Sequence, residues 1–220
     1  MRQSQPFIQT RESLCYKVAA YVTMFYLFDI RVSKIKMTKD INIFFDDNYN
    51  NTYFESLTFN ESSFQYAESG EMARVNIIFY AERLRTYLML SMAQVISDFK
   101  HRNKRLPCRF LFKSDKEEKY QSEIIHSIEK QIFTANSLVG CDFFTGEAIE
   151  WEWDVHDLLH KNGSVWLSIK KLAELLISEA SINEEFVVNK YQIESVLKKH
   201  LKEPGSLCYS REFYQTLNLR

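Results

Sequence analysis

KVAAYVTMFYLFDIR, residues 17–31, decides how the rest of the chain is read. About a dozen apolar residues run between Lys17 and Arg31, which is too short for a bilayer, since a spanning helix takes about 20. The run is long enough to be the core of a signal peptide, but no small-x-small cleavage site follows it. Leu14, Val18, Val22, Phe25 and Phe28 recur at helical spacing, and Thr10 or Ser13 stands where a cap belongs. The segment is therefore expected to be a buried element, helix or strand, around which a core assembles.

The composition allows such a core. Of 220 residues, 45% are hydrophobic and 15% aromatic, with five glycines and three prolines. That excludes a largely disordered or low-complexity chain. The phosphate-cradling patterns G-x-G-x-x-G and G-x-x-x-x-G-K-[ST] are absent, and so is the G-x-S-x-G nucleophile elbow. The four cysteines, Cys15, Cys108, Cys141 and Cys208, are widely separated and form no C-x-x-C pair. They read as reduced thiols of a cytoplasmic protein rather than a disulfide framework.

Outward from the opening run, INIFFDDNYNNTYFESLTF (41–59) reads as a hairpin turning on its Asp/Asn cluster. ARVNIIFY (73–80) has the β-branched and aromatic composition of a strand. A long helix follows from about Ala81 to Phe99, carried by Leu84, Leu88, Val95 and Phe99 and closed before Pro107. CRFLF (108–112) reads as a short strand. A second helix follows over 114–133, with Ser114 and Glu117 at capping-box spacing.

SLVGCDFF, TG and EAIEWEWDV read as another hairpin. In its second arm Ile149, Trp151, Trp153 and Val155 share one face and Glu150, Glu152 and Asp154 the wet one. Two helices, over SVWLSIKKLAELLISEA and NKYQIESVLKKHL, complete the chain before Pro204 and Gly205. The expected fold is α+β. An antiparallel or mixed sheet flanked by two long helices occupies residues 1–155, and a small helical appendage occupies 156–220.

Net charge is −1, but it is distributed in blocks: +4 over residues 1–40, −5 over 41–80, +5 over 81–120, −7 over 121–160 and +2 over 161–220. The densest cationic stretch is KHRNKRLPCRFLFK (100–113). Its Lys100, Arg102, Lys104, Arg105 and Arg109 are candidates for neutralising phosphates. The alternative is a solvated helix end, where cations also suit the helix dipole.

HDLLHKNG (156–163) raises metal chemistry. His156 and His160 are one helical turn apart, the spacing that lets two imidazoles reach one zinc ion. The string from His156 to Trp166 resembles the extended metzincin pattern and departs from it twice. Asp157 replaces the longer Glu that would serve as base, and Trp166 stands where a third ligand belongs. The simpler reading is a short helix or turn carrying two surface or half-buried histidines, with no cofactor.

Trp166, Leu167, Ser168, Leu172, Ala173 and Leu175, followed by the helix 190–202, resemble the helix-turn-helix of virulence-associated RhuM-like proteins over about residues 164–202. The resemblance implies a second helix lying in the major groove, presenting Lys190, Gln192, Lys198 and Lys199. It departs from the usual short link in the longer, acidic ISEASINEEFVVN. Together these features point to a cytoplasmic, non-enzymatic regulator that binds nucleic acid, of the kind mobile elements carry, with no membrane partner. A protein-binding adaptor or inhibitor using Tyr49, Tyr53 and Trp153 is the first alternative. A metal-dependent hydrolase using His156 and His160 is the second.

Overall fold

The computed structural model describes residues 11–37, 41–45, 70–102, 123–139, 142–182, 185–201 and 204–207. Within them the chain forms α1 (Arg11–Leu27), β1 (Val32–Met37), β2 (Ile41–Phe45), α2 (Gly70–His101) and α3 (Glu123–Val139). It continues with α4 (Phe143–Lys161), α5 (Gly163–Ile182), β3 (Phe186–Asn189) and α6 (Lys190–His200). The fold is α+β.

The opening apolar run is α1, and it is buried on almost every side. Cys15, Ala19, Ala20, Met24 and Phe25 are closed to solvent. A helix apolar all round belongs inside a protein rather than on its surface. α1 accordingly packs against α2, α5 and β1. Each large side chain buried there, Phe25 and Met24 among them, contributes about 1.5–3 kcal/mol of transfer free energy.

β1 is the central strand of a three-stranded antiparallel sheet of order β2-β1-β3. Ile35 and Met37 are buried and Lys34 and Lys36 exposed. The register against β2 shifts between Val32 and Lys34, making Ser33 a bulge residue. The extra residue puts Val32 on the same buried side as Ile35, three positions on, where strict alternation would have separated them.

Two expected strands are helical instead. Residues 73–80 lie within α2. The β preference of Val and Ile there is a matter of tenths of a kcal/mol per residue, and adding turns to an established helix costs no new nucleation. Residues 143–155 lie within α4, not in a hairpin arm. Its buried stripe is Phe144, Ala148, Trp151, Val155 and Leu159, steps of three and four along a helix. The alternation from Ile149 to Val155 is incidental to that longer period. Hence Glu152 is buried, whereas Glu150 and Asp154 are exposed as expected.

Asn136 of α3 helps start α4. Its side-chain carbonyl accepts the Phe144 N–H at 2.8 Å, and its amide donates to Asp142 at 2.7 Å. The strand expected at 108–112, the turn of the 41–59 hairpin and the Ser114 cap lie outside the described residues.

The expected division at 155/156 falls inside α4. β3 comes from beyond it and pairs with β1 from before it, and α5 packs on α1. One hydrophobic core joins residues from Cys15 to Leu201.

Candidate functional site

The described start of the first basic segment, residues 100–102, is used internally. The Lys100 ammonium donates to the Leu159 carbonyl at 2.5 Å and stands over the Trp166 ring at 4.3 Å. Burial lowers its pKa. The Arg102 guanidinium donates to Asp98 at 2.5 Å, and Asp98 also accepts from Ser13 and lies 3.8 Å from Lys17. Neighbouring His101 stacks on Tyr16 with ring centroids 3.8 Å apart. Lys100 and Arg102 therefore tie α1, α2, α4 and α5 together. Lys104, Arg105 and Arg109 lie outside the described residues.

The second basic segment belongs to α6. Asn189 caps this helix: its side chain accepts the Gln192 N–H at 3.1 Å, and the Gln192 side chain accepts the Asn189 N–H at 3.0 Å. Gln192 is thus engaged by the helix end itself. Ile193 and Leu197 face the core. On the other side Glu194 lies 4.0 Å from Lys190 and accepts from Lys198 at 2.5 Å. That hydrogen bond raises the Lys198 pKa. Lys199 is exposed.

The described parts of the two segments do not meet. Asp98 and Arg102 sit against Ser13 and Lys17 near the start of α1, whereas Lys190 and Lys198 share a cleft with Tyr26 at its end. The thirteen residues from Ser13 to Tyr26 place them about 20 Å apart along the helix axis.

A different pair of lysines adjoins α6. Residues paired across an antiparallel sheet point to the same face. Lys34 is paired with Phe44 on β2 and Asn189 on β3, and Lys36 with Val187 on β3. Lys34, Lys36, Phe44, Val187 and Asn189 are all exposed, and the Lys34 ammonium lies 4.5 Å from the Phe44 ring centroid. VSKIKM, INIFF and FVVN together hold two lysines and no carboxylate. The signal in the sequence was the K-x-K of VSKIKM, which Ser33 disguises by breaking the alternation.

The histidine pair lies on α4 with its rings stacked 6.0 Å apart. His156 is buried and sits 3.8 Å from Glu152. The pKa of His160 is lowered by burial first and by Lys100 second. Among the described residues no three metal-binding side chains gather anywhere. No described helix is long and apolar enough to cross a membrane. No family model, curated protein or solved structure matches the chain.

Proposed function

We propose that the protein is a cytoplasmic, non-enzymatic regulator that binds nucleic acid through the solvent face of the sheet and the adjoining α6. One observation carries this reading: Lys34 and Lys36 stand beside Phe44 on a sheet face whose three strands contain no acid. Ammonium groups bind phosphates without regard to sequence, and an aromatic ring offers a base a stacking partner. Asn189 links this face to α6, the helix that the RhuM-like resemblance would send into the major groove. Lys190, Lys198 and Lys199 there add positive charge: Lys199 is exposed, and the pairing of Lys190 and Lys198 with Glu194 near the surface is weak enough for phosphate to compete. Lys100 and Arg102 take no part. A free, buried thiol at Cys15 fits a reducing compartment.

The test is fluorescence anisotropy with labelled single- and double-stranded oligonucleotides over a range of salt. Replacing Lys34 and Lys36 together by Ala should weaken binding and lower the slope of log affinity against log salt by about 2, one per lost phosphate contact. Replacing Lys100 by Met should leave the slope unchanged. No binding at low salt, or a slope indifferent to Lys34 and Lys36, would end this proposal.

A second reading, a protein-binding adaptor, is favoured by Phe133, Phe143 and Trp153, large apolar side chains exposed on α3 and α4. Tyr49 and Tyr53 lie outside the described residues. A complex with another protein that survives high salt and nuclease treatment would support it.

A further inference from the structure

We infer that the cleft between the end of α1, the turn into β1 and α6 binds a small organic monoanion with an apolar body. Its volume is about 340 Å³, at the lower end of the range of small-molecule sites, roughly 300–1,000 Å³. The site shares Lys190 and Lys198 with the proposed nucleic-acid surface, but it rests on the cleft alone and does not depend on the nucleic-acid reading.

The lining divides into an apolar floor and a charged rim. Val22, Ile30, Val32, Ile193 and Leu197 line the floor, and all five are buried. Such a surface takes an aliphatic or aromatic body and gains by removing it from water. On the rim are Arg31, Lys190 and Lys198 against Asp29 and Glu194. Three cations against two carboxylates leave one positive charge among the described lining residues.

The geometry locates that charge. Asp29 and Arg31 lie 3.9 Å apart at one edge. At the other, Glu194 draws two ammonium groups, Lys190 at 4.0 Å and Lys198 at 2.5 Å. A carboxylate, sulfonate or phosphate ester entering above the floor meets two donors there and has one excess cation to neutralise. The hydrogen bond from Lys198 to Glu194 and the attached charge favour the protonated ammonium, so the donor persists through neutral pH. The walls are also fixed in place. Asp29 adopts φ 56°, a left-handed conformation that Asp tolerates better than most residues. It turns the chain sharply from α1 into β1, and the backbone N–H of Ile30 is bonded to the Phe25 carbonyl at 2.8 Å.

The probe is 8-anilinonaphthalene-1-sulfonate, one sulfonate on an aromatic body, titrated into the full chain under native conditions. Its neutral counterpart is N-phenyl-1-naphthylamine, the same rings without the charge. One saturable site is expected for the sulfonate. Lys190→Met with Lys198→Met should weaken the sulfonate by roughly tenfold or more, the effect of losing a charge-assisted hydrogen bond, and leave the neutral probe within about twofold. Lys34→Ala should change neither. Both lysines are on the surface, and the double variant should keep the wild-type unfolding midpoint, which calorimetry reads directly. The inference is overturned if the sulfonate binds without saturation, if the two lysine substitutions leave its affinity unchanged, or if they weaken both probes equally.

Discussion

Asp98 is 2% exposed, yet three side chains from two elements converge on its carboxylate. Ser13 and Lys17 reach it from α1 and Arg102 from the following turn of α2. An ionised carboxylate so deep is tolerated only because donors surround it. Asp98→Ala leaves Lys17 and Arg102 facing a void, and removing one partner of a buried pair costs about 3 kcal/mol. Chemical denaturation should register that loss. A change under about 0.5 kcal/mol would mean that water already screens the cluster. Part of this was readable in the sequence, because Asp98 and Arg102 stand at the i,i+4 spacing of helical ion pairs. The contributions of Ser13 and Lys17, more than eighty residues away, were not. The same holds for Lys100, whose density among cations suggested phosphate contacts while its actual partners, Leu159 and Trp166, lie on other elements.

Elements form here according to the length over which a pattern repeats. α4 holds its buried stripe over the sixteen residues from Phe144 to Leu159, and this outweighs seven residues of alternation inside it. β1 and β3, with six and four residues, are too short to carry a period, and β1 is further interrupted by its bulge. α6 is short as well, with eleven residues, a length at which helices are marginal without support. Its support is legible: Asn189-Lys-Tyr-Gln192 is a capping box in sequence as in structure. Asn189→Ala should therefore destabilise the protein by about 1 kcal/mol and speed amide exchange in the first turn of α6 above that of α5. Equal exchange in both helices would show that Ile193 and Leu197 hold α6 without the cap.

At the scale of the whole molecule, the sheet and the core tie α1 and β1 to the segment from α5 to Leu207. β3 pairs with β1, α5 rests on α1, and the Gly205 and Leu207 amides bond to carbonyls at the end of α1. A fragment comprising residues 156–220 would lose the cover that α1 gives α5 and the strand pairing that β1 gives β3. Produced alone it should lack a cooperative thermal transition by circular dichroism. A sharp transition would mean that the helical segment folds by itself.

The sequence by itself determined that the chain has a core, that the run from Lys17 is internal, and that helices occupy most of 81–99 and 164–200. Those properties follow from apolar residues repeating within one element. Only the tertiary structure decided which charges are spent inside and which face water. It also decided that Lys34 and Lys36, not Lys100 and Arg102, border α6, and that Glu152 is buried. A charge's free energy depends on its neighbours in space within a few ångströms, and those neighbours come from helices and strands far apart along the chain.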